Sequence, residues 1–262
     1  MNAVLIAVLV VAAIGLIAGI ILTLASHFMA VKVDERVTAV RECLPGANCG
    51  ACGYAGCDEY AQKVVDGVAK LTLCVPGGQK AASDMAAVMG TSVGEVKQMR
   101  AMVRCCGGDK TAKRVMDYRG PKTCAACSSF FKGDKECSYG CLGFGDCAAV
   151  CKFGAITVED GVAHIDSSLC TGCGACTRVC PGNVIYLVPK NSHVCVACGS
   201  HNKGAQTRKM CTSGCIGCMK CQKTCKYGAI SVDQNLAVVD PSLCTNCGEC
   251  AEVCPVGCIR FF

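Results

Sequence analysis

The sequence predicts an α+β protein in which one N-terminal membrane-spanning helix is followed by small cysteine-rich units. Three observations predict this organisation. The first 31 residues carry no charge, 29 of the 262 residues are cysteine, and a cysteine run at 137–156 recurs at 211–230. We therefore expect one long apolar helix, and then short helices and hairpins arranged around thiol-rich loops.

The uncharged N-terminal segment is long enough to cross a lipid bilayer. Residues 4–24 are almost wholly Val, Ile, Leu, Ala and Gly, and about 20 apolar residues are sufficient for a span. The first charges follow it: Lys32, Asp34, Glu35, Arg36 and Arg41. Because positive charge favours the cytoplasmic face, we expect residues 1–31 to be a single anchor, with all later units in the cytoplasm. An uncleaved signal sequence is the alternative.

The cysteine content resembles that of a disulfide-rich secreted domain, but two features argue against disulfides. The number of cysteines is odd, and no cleavable signal peptide precedes them. In the reducing cytoplasm, thiols are available for metal binding or redox chemistry instead. The composition therefore favours metal or redox use of these cysteines.

Two copies of one module occupy the C-terminal part of the chain, at 123–188 and 189–262. "CSYGCLGFGDCAAVCKFGAI" and "CTSGCIGCMKCQKTCKYGAI" align without a gap at a spacing of 74 residues, and the register continues to residue 262. Such a register indicates two copies of one structural unit. Each copy contains a hairpin between its cysteine runs, with turns at Asp160-Gly161 and at Asn235.

A third unit, at 32–82, precedes the two copies. Its segment "LPGANCGACGYAGCDEYAQKVVDGVAKLTLCVPGG" predicts a glycine-rich loop, a helix that begins at Asp58 and a return of the chain to Cys74. Residues 83–122 are predicted to be a helical and basic linker. Its first half should form two short helices, one of them with a capping box from Ser92 to Glu95.

The spacing of the cysteines identifies the metal chemistry. "CTGCGACTRVCP" (170–181) and "CTNCGECAEVCP" (244–255) follow the pattern C-x2-C-x2-C-x3-C-P. This is the run found in bacterial two-cluster ferredoxins, where the first three thiolates bind one [4Fe–4S] cluster and the fourth binds the other. Structural zinc sites use two separated pairs around one ion. We therefore predict two tandem bacterial-type 2[4Fe–4S] ferredoxin-like modules.

Crossed ligation assigns four cysteines to each of four clusters. The second module supplies Cys215, Cys218, Cys221 and Cys254 (cluster 4), and Cys225, Cys244, Cys247 and Cys250 (cluster 5). The first module supplies Cys151, Cys170, Cys173 and Cys176 (cluster 3). Phe144 stands where the second module has Cys218, so we expect Cys137 as the replacement ligand. Cluster 2 is then predicted to use Cys137, Cys141, Cys147 and Cys180. Cys211 becomes a spare copy, and Cys258, aligned with Val184, a core residue.

The N-terminal unit is predicted to hold a fifth cluster, cluster 1. Its ligands are Cys49, Cys52, Cys57 and Cys74, although from spacing alone zinc is an alternative. Five [4Fe–4S] clusters are thus expected. The sequence leaves open a sixth, drawn from Cys105, Cys106, Cys124, Cys127, Cys195 and Cys198. Cys43 has no place in the pattern.

Two basic stretches suggest a surface for an acidic protein partner. Residues 95–122 contain eight Lys or Arg against three acids, and residues 187–210 contain four and no acid. The candidate partner-binding residues are Lys110, Lys113, Arg114, Lys203, Arg208 and Lys209. Nucleic acid is disfavoured because the chain has no Trp and no recognition motif. We find no catalytic residue and no flavin or NAD motif.

The anchor, the "LPGANCGACGYAGC…CVPGG" unit and the "CSYGCLGFGDCAAVC" loop together resemble the B subunit of the Rnf complex. That complex is a membrane-bound ferredoxin:NAD oxidoreductase that pumps Na⁺ or H⁺. The resemblance covers essentially the whole chain, and its second module is typical of the longer, anaerobe-type version. It implies that this subunit accepts electrons from soluble ferredoxin and passes them to sister subunits that carry flavins and bind NAD. A membrane-tethered polyferredoxin that serves a hydrogenase or a redox-sensor reducing system is the alternative.

Overall fold

The computed structural model describes residues 2–28 and 34–261. Its helices are α1 (Asn2–Phe28), α2 (Glu35–Glu42), α3 (Cys57–Val65), α4 (Gly78–Met89), α5 (Cys124–Ser128), α6 (Asp146–Ala149), α7 (Ala175–Val179), α8 (Gly204–Met210), α9 (Lys220–Thr224) and α10 (Glu249–Glu252). Its strands are β1 (Met99–Val103), β2 (Ile156–Glu159), β3 (Val162–Ile165), β4 (Ile185–Pro189), β5 (Val194–Val196), β6 (Ile230–Asp233), β7 (Leu236–Val239) and β8 (Ile259–Phe261). Each strand pairs with one other strand, and every pair is antiparallel. The predicted α+β class is confirmed.

Helix α1 is long and apolar enough to cross a membrane over Leu5–Ala25. Its side chains from residue 5 to 24 are all exposed, so the described protein provides no apolar surface that covers them. A lipid bilayer would supply that surface at no cost in backbone hydrogen bonds, because a helix satisfies its own. The expected end of the anchor, at residues 29–31, and Lys32 lie outside the described residues.

Helices α2, α3 and α4 pack together as a small N-terminal domain. Its core contains Val40, Tyr60, Val64 and Met85, all almost fully buried. The Tyr60 hydroxyl donates to the carbonyl of Lys70 (2.7 Å), which holds the segment after α3 against the domain. This core fixes the cysteine loop that precedes α3 and the chain that leads into α4.

The predicted linker contributes a strand to the first module. Helix α4 ends at Gly90 in the left-handed conformation, and no helix follows the Ser92–Glu95 pair. The second expected helix is instead strand β1, whose residues pair with β4 from Met99↔Pro189 to Val103↔Ile185. Pairing outweighs local helix preference here because it buries the middle of the strand.

The two predicted hairpins are β2–β3 and β6–β7, and they have the same register. Their turns contain Asp160 (φ 48°) and Gly161 (φ 68°) in one copy, and Gln234 (φ 44°) and Asn235 (φ 67°) in the other. Two successive positive φ angles are typical of the type I′ turn that matches strand twist.

The repeat also extends to the strand pairs that flank the hairpins. Strand β8 is the copy of β4 at a spacing of 74 residues, and Val196↔Ile259 matches Val103↔Ile185. After each strand the next N–H makes an equivalent bond of 2.7 Å, from Arg104 to the Val184 carbonyl and from Ala197 to the Cys258 carbonyl. Strands β1 and β5 are therefore equivalent, and each module begins with its own strand.

Backbone hydrogen bonds join the former linker to the second module. Lys113 N–H donates to the Met210 carbonyl (2.8 Å), and Thr212 N–H donates to the Thr111 carbonyl (3.0 Å). These bonds flank an isolated antiparallel bridge between Ala112 and Cys211. The segment after β1 thus lies against the start of the second cysteine repeat.

Candidate iron–sulfur sites

The N-terminal domain gathers four thiols between the loop before α3 and the start of α4. Burial raises the pKa of Cys74, and the nearby Cys57, Cys49 and Cys52 raise it further, so the four groups are within electrostatic reach of one another. The backbone N–H of Gly77 donates to the Cys74 sulfur. A Cβ on Gly77 would lie only 3.1 Å from that sulfur, so the close approach of the backbone requires glycine.

The set predicted for cluster 3 also comes together in the first module. Burial raises the pKa of Cys176 to about 11, and Cys170, Cys173 and Cys151 act on it in the same direction. The N–H of Ala101, in β1, donates to the Cys170 sulfur (3.4 Å). Strand β1 therefore supplies a hydrogen bond to a thiolate ligand, as protein backbones commonly do around such clusters.

At the site predicted for cluster 2, Cys124 lies with three of the four predicted ligands. Burial raises the pKa of Cys147 to about 12, with further contributions from Cys141, Cys124 and Cys180. The same four residues line one cavity. Cys137, which the sequence placed in this set, lines a different cavity. The structure brings Cys124 to the position that Cys137 was expected to occupy.

The reason lies in the contacts of Asp146 and Phe144. The Asp146 carboxylate accepts hydrogen bonds from the N–H groups of Cys124 (2.8 Å) and Ala125 (3.0 Å), so the start of α5 is held at the cysteine loop. Phe144 packs against the ring of Tyr118, with 5.6 Å between ring centroids. The residue that replaces a ligand thus becomes part of a small core around Cys124.

The set predicted for cluster 4 lines a single cavity in the second module. Its lining includes Cys215, Cys218, Cys221 and Cys254. Cys258 lines it too, and the Cys258 and Cys254 sulfurs lie 3.6 Å apart. Cys258 is 2% exposed, as expected of a core residue, but it also contacts the sulfurs of this set.

The set predicted for cluster 5 lies in the same core. Burial raises the pKa of Cys250 to about 11, and Cys244 and Cys247 add to the shift. Cys225 packs against the same group of buried residues. Sites 4 and 5 therefore share one core, in the way that the cysteines of sites 2 and 3 share another.

The donor sets fit iron–sulfur clusters better than single metal ions. Within 2–28 and 34–261, no three His, Cys, Asp or Glu side chains stand close enough to hold one ion. A zinc–thiolate bond is about 2.3 Å long, so a zinc site brings its sulfurs into near contact. The thiols here are instead spaced around the walls of open cavities. Thiol ligands, a cavity among them and N–H···S bonds are the features that a [4Fe–4S] cluster requires.

Family models match the same three regions. The model described as "Putative Fe-S cluster" matches residues 44–76. The "4Fe-4S binding domain" matches residues 163–186, and the "4Fe-4S dicluster domain" matches residues 214–258. These matches confirm the predicted order of a small iron–sulfur domain followed by two ferredoxin-like units.

Three curated relatives align over nearly the whole chain. The B subunit of the Na(+)-translocating ferredoxin:NAD(+) oxidoreductase complex of Acetobacterium woodii is 42% identical over 99% of this chain and 78% of its own length. The proton-translocating counterpart of Clostridium ljungdahlii is 42% identical over 99% and 93%. The B subunit of the ion-translocating oxidoreductase complex of Methanosarcina acetivorans is 39% identical over 97% of both chains. This chain belongs to the family of Rnf complex B subunits.

As an Rnf B subunit, the chain is an iron–sulfur electron-transfer protein associated with a membrane. The resemblance noted from its motifs is confirmed, and so are the predicted [4Fe–4S] domains. The position of the second family match shows that the added C-terminal module is itself ferredoxin-like.

The basic residues of this Rnf protein fall into two groups. Lys110, Lys113, Lys203, Arg208 and Lys209 are exposed, and among the described residues none forms an ion pair. Arg114 is different, because its guanidinium bonds the carboxylates of Asp109 and Asp134. Arg114 thus has a structural role that the charge pattern alone did not indicate.

Proposed function

We propose that this Rnf protein accepts electrons from reduced ferredoxin and passes them to flavin- and NAD-binding sister subunits of an ion-pumping complex. The proposal rests on the arrangement of the thiol sets, because each set lies close to another thiol set in the fold. A [4Fe–4S] cluster accepts and releases one electron at a time and performs no hydride chemistry. The chain itself holds the ligands and offers a docking surface.

The N-terminal domain docks beside the first module. The Lys152 ammonium donates to the carbonyls of Asn48 (2.6 Å) and Ala47 (3.3 Å). Lys152 follows Cys151, a site 3 ligand, and Asn48 precedes Cys49, a site 1 ligand. This contact places the loops of sites 1 and 3 side by side and supports electron transfer between them.

The exposed basic residues form one surface, not two. The hydrogen bond from Lys113 N–H to the Met210 carbonyl brings the 110–113 segment against helix α8, which carries Arg208 and Lys209. We call the surface formed by Lys110, Lys113, Lys203, Arg208 and Lys209 the basic face. Ferredoxins of the clostridial type are acidic, so opposite charge would steer the encounter to this face.

The membrane orientation follows from the anchor and the charges after it. Basic residues favour the cytoplasmic side of a span, and thiol ligands stay reduced in the cytoplasm. We therefore place the iron–sulfur domains on the cytoplasmic side, where soluble ferredoxin and NAD are available. The relatives differ in the ion that their names print, Na⁺ or H⁺, so the proposal covers either ion.

The proposal is tested with the purified, detergent-solubilised complex under anaerobic conditions. Reduced ferredoxin should bleach the visible iron–sulfur absorbance of the complex, and NADH should form when NAD⁺ is added. A complex in which Cys170→Ser disrupts site 3 should lose NADH formation while its flavin content is unchanged. If ferredoxin leaves the absorbance of the wild-type complex unaltered, the proposed donor is wrong.

A further inference from the structure

Five thiols outside the five sites line a cavity between the two modules, and four of them form two structurally equivalent pairs. These four are Cys105, Cys137, Cys198 and Cys211. Cys198 and Cys211 are buried, and the other two are partly buried.

The four thiols are two equivalent pairs, one member of each pair from either module. Cys105 and Cys198 each stand two residues after equivalent strand ends, Val103 in β1 and Val196 in β5. Cys137 and Cys211 are the same position of the 74-residue repeat. The cavity is therefore shared symmetrically, and neither module holds more than half of its thiols.

Backbone N–H groups donate to two of the four sulfurs, one in each module. Gly107 N–H donates to Cys105 (3.4 Å) and Cys215 N–H donates to Cys198 (3.2 Å). These sulfurs accept hydrogen bonds, as the thiolate ligands of a metal site do.

The neighbouring Cys106 is arranged differently. Its Sγ lies 3.3 Å from the carbonyl oxygen of Ser213, which can only accept, so Cys106 donates as a protonated thiol. Cys106 thus lines the same cavity without being placed as a ligand. It offers a matched control one residue away from Cys105.

A buried positive charge also faces this cavity. Lys135 is 4% exposed, and its ammonium donates to the carbonyls of Gly107 (2.8 Å) and Gly161 (3.0 Å). In the described part of the chain no carboxylate forms an ion pair with it. A buried ammonium is costly without a negative partner. Four thiolates around a metal cluster carry the negative charge that this site otherwise lacks.

We propose that Cys105, Cys137, Cys198 and Cys211 bind a sixth [4Fe–4S] cluster at the junction of the modules. Zinc would draw the four sulfurs together around one ion, and no described group of three metal-ligating side chains is that close. A Cβ on Gly107 would lie 3.1 Å from the Cys211 sulfur, so glycine lets the backbone line the cavity without filling it. The four thiols, the N–H donors and the buried positive charge all suit a cluster.

The place of this site in electron flow rests on the proposed function, although its existence does not. Cys198 receives its hydrogen bond from the backbone of Cys215, a site 4 ligand. Cys137 lies in the same loop as Cys141, a site 2 ligand. A cluster here would link the two modules. It would also lie beneath the basic face, because Thr207 and Met210 of helix α8 line the cavity.

The test is the iron and acid-labile sulfide content of the full-length protein, purified anaerobically in detergent. The wild type should contain about 24 iron atoms per chain, and Cys105→Ala and Cys211→Ala should each contain about four fewer. The double variant Cys105→Ala/Cys211→Ala should lose no more than either single variant, because both residues hold the same cluster. Cys106→Ala should keep the wild-type content.

Three results would overturn the proposal, and each is read from metal content, independently of ferredoxin-driven activity. One is a wild type near 20 iron atoms whose content Cys105→Ala and Cys211→Ala leave unchanged. Another is an additive loss of about eight in the double variant, which would place the residues in separate sites. The last is one zinc ion per chain in the wild type that is absent from Cys211→Ala. Electron paramagnetic resonance of the other clusters checks that each variant is folded, and the pair Cys137→Ala and Cys198→Ala repeats the test with the other two ligands.

Discussion

Cys137 and Cys211 are the same position in two copies of one repeat, and both line a single cavity between the copies. In an isolated module this position would be a redundant cysteine. When the modules face each other it becomes a pair of thiols on opposite sides of one space. This arrangement gives both cysteines a role, although the sequence predicted that Cys211 is a spare copy.

The first prediction concerns the fourth ligand of site 2. Cys124→Ala should remove about four iron atoms per chain, because Cys124 lines the cavity of Cys141, Cys147 and Cys180. A Cys124→Ala/Cys141→Ala double variant should lose no more than that, whereas Cys124→Ala/Cys137→Ala should lose about eight. Iron analysis of anaerobically purified protein checks this. Equal losses in both double variants would return Cys137 to site 2.

The second prediction concerns Asp146, which fixes the start of α5 at site 2. Asp146→Ala removes two hydrogen bonds to N–H groups, at Cys124 and Ala125. Loss of such a cap costs about 1 kcal/mol, or roughly fivefold in an equilibrium. We expect iron to be lost from one cluster severalfold faster when a chelator is added. The matched control is Lys220→Ala, because Lys220 occupies the equivalent position of the second module. If Asp146→Ala loses iron to the chelator at the wild-type rate, Asp146 does not hold α5 at site 2.

The sequence predicted the units of the fold because their signals are local. The cysteine spacings, the hairpin turns and the apolar anchor each lie within one stretch of chain, and the hairpins and the helix appear where expected. Ligand sets 1, 3, 4 and 5 come together for the same reason, since each follows a spacing rule.

The position of Cys124 beside the other thiols of site 2 could not be predicted in this way, because it depends on tertiary contacts. Cys124 reaches its site through the carboxylate of Asp146, which lies 22 residues further along the chain. The strand at Met99–Val103 likewise forms through pairing with β4. The 74-residue spacing was not a guide here. It aligns Cys124 with Cys198, whereas the strand pairs make Cys198 the structural equivalent of Cys105.

The third prediction concerns Lys152, which ties the N-terminal domain to the first module. Lys152→Met removes its hydrogen bonds to the carbonyls of Asn48 and Ala47. Because the contact is exposed, we expect a loss of at most about 1 kcal/mol in docking. Magnetic coupling between the reduced clusters of sites 1 and 3 should weaken in electron paramagnetic resonance spectra. The control is Lys226→Met, because this lysine occupies the equivalent position in the second module and pairs with Glu249 there. Identical spectra for the wild type, Lys152→Met and Lys226→Met would show that Lys152 does not determine the contact.

The last prediction concerns the basic face as the docking surface for ferredoxin. Its five cations are exposed and unpaired among the described residues, and they lie together across the contact between the 110–113 segment and α8. Long-range attraction raises the association rate and is screened by salt, with a Debye length of about 10 Å at 0.1 M. The triple variant Lys203→Glu/Arg208→Glu/Lys209→Glu should therefore slow reduction by ferredoxin about tenfold or more at low ionic strength, and much less in high salt.

The other half of the face should behave in the same way. Lys110→Glu/Lys113→Glu should slow the reaction by a smaller factor, since it reverses fewer charges. Arg114 is left unchanged in both variants, because its ion pairs with Asp109 and Asp134 make it structural. The charge-matched control is Lys70→Glu/Lys80→Glu/Lys97→Glu, which reverses three exposed lysines before β1. Stopped-flow experiments measure the rate of reduction by ferredoxin and by dithionite. The rate with dithionite should be equal in all variants. If both variants of the basic face react with ferredoxin at the wild-type rate in low salt, this surface is not the docking site.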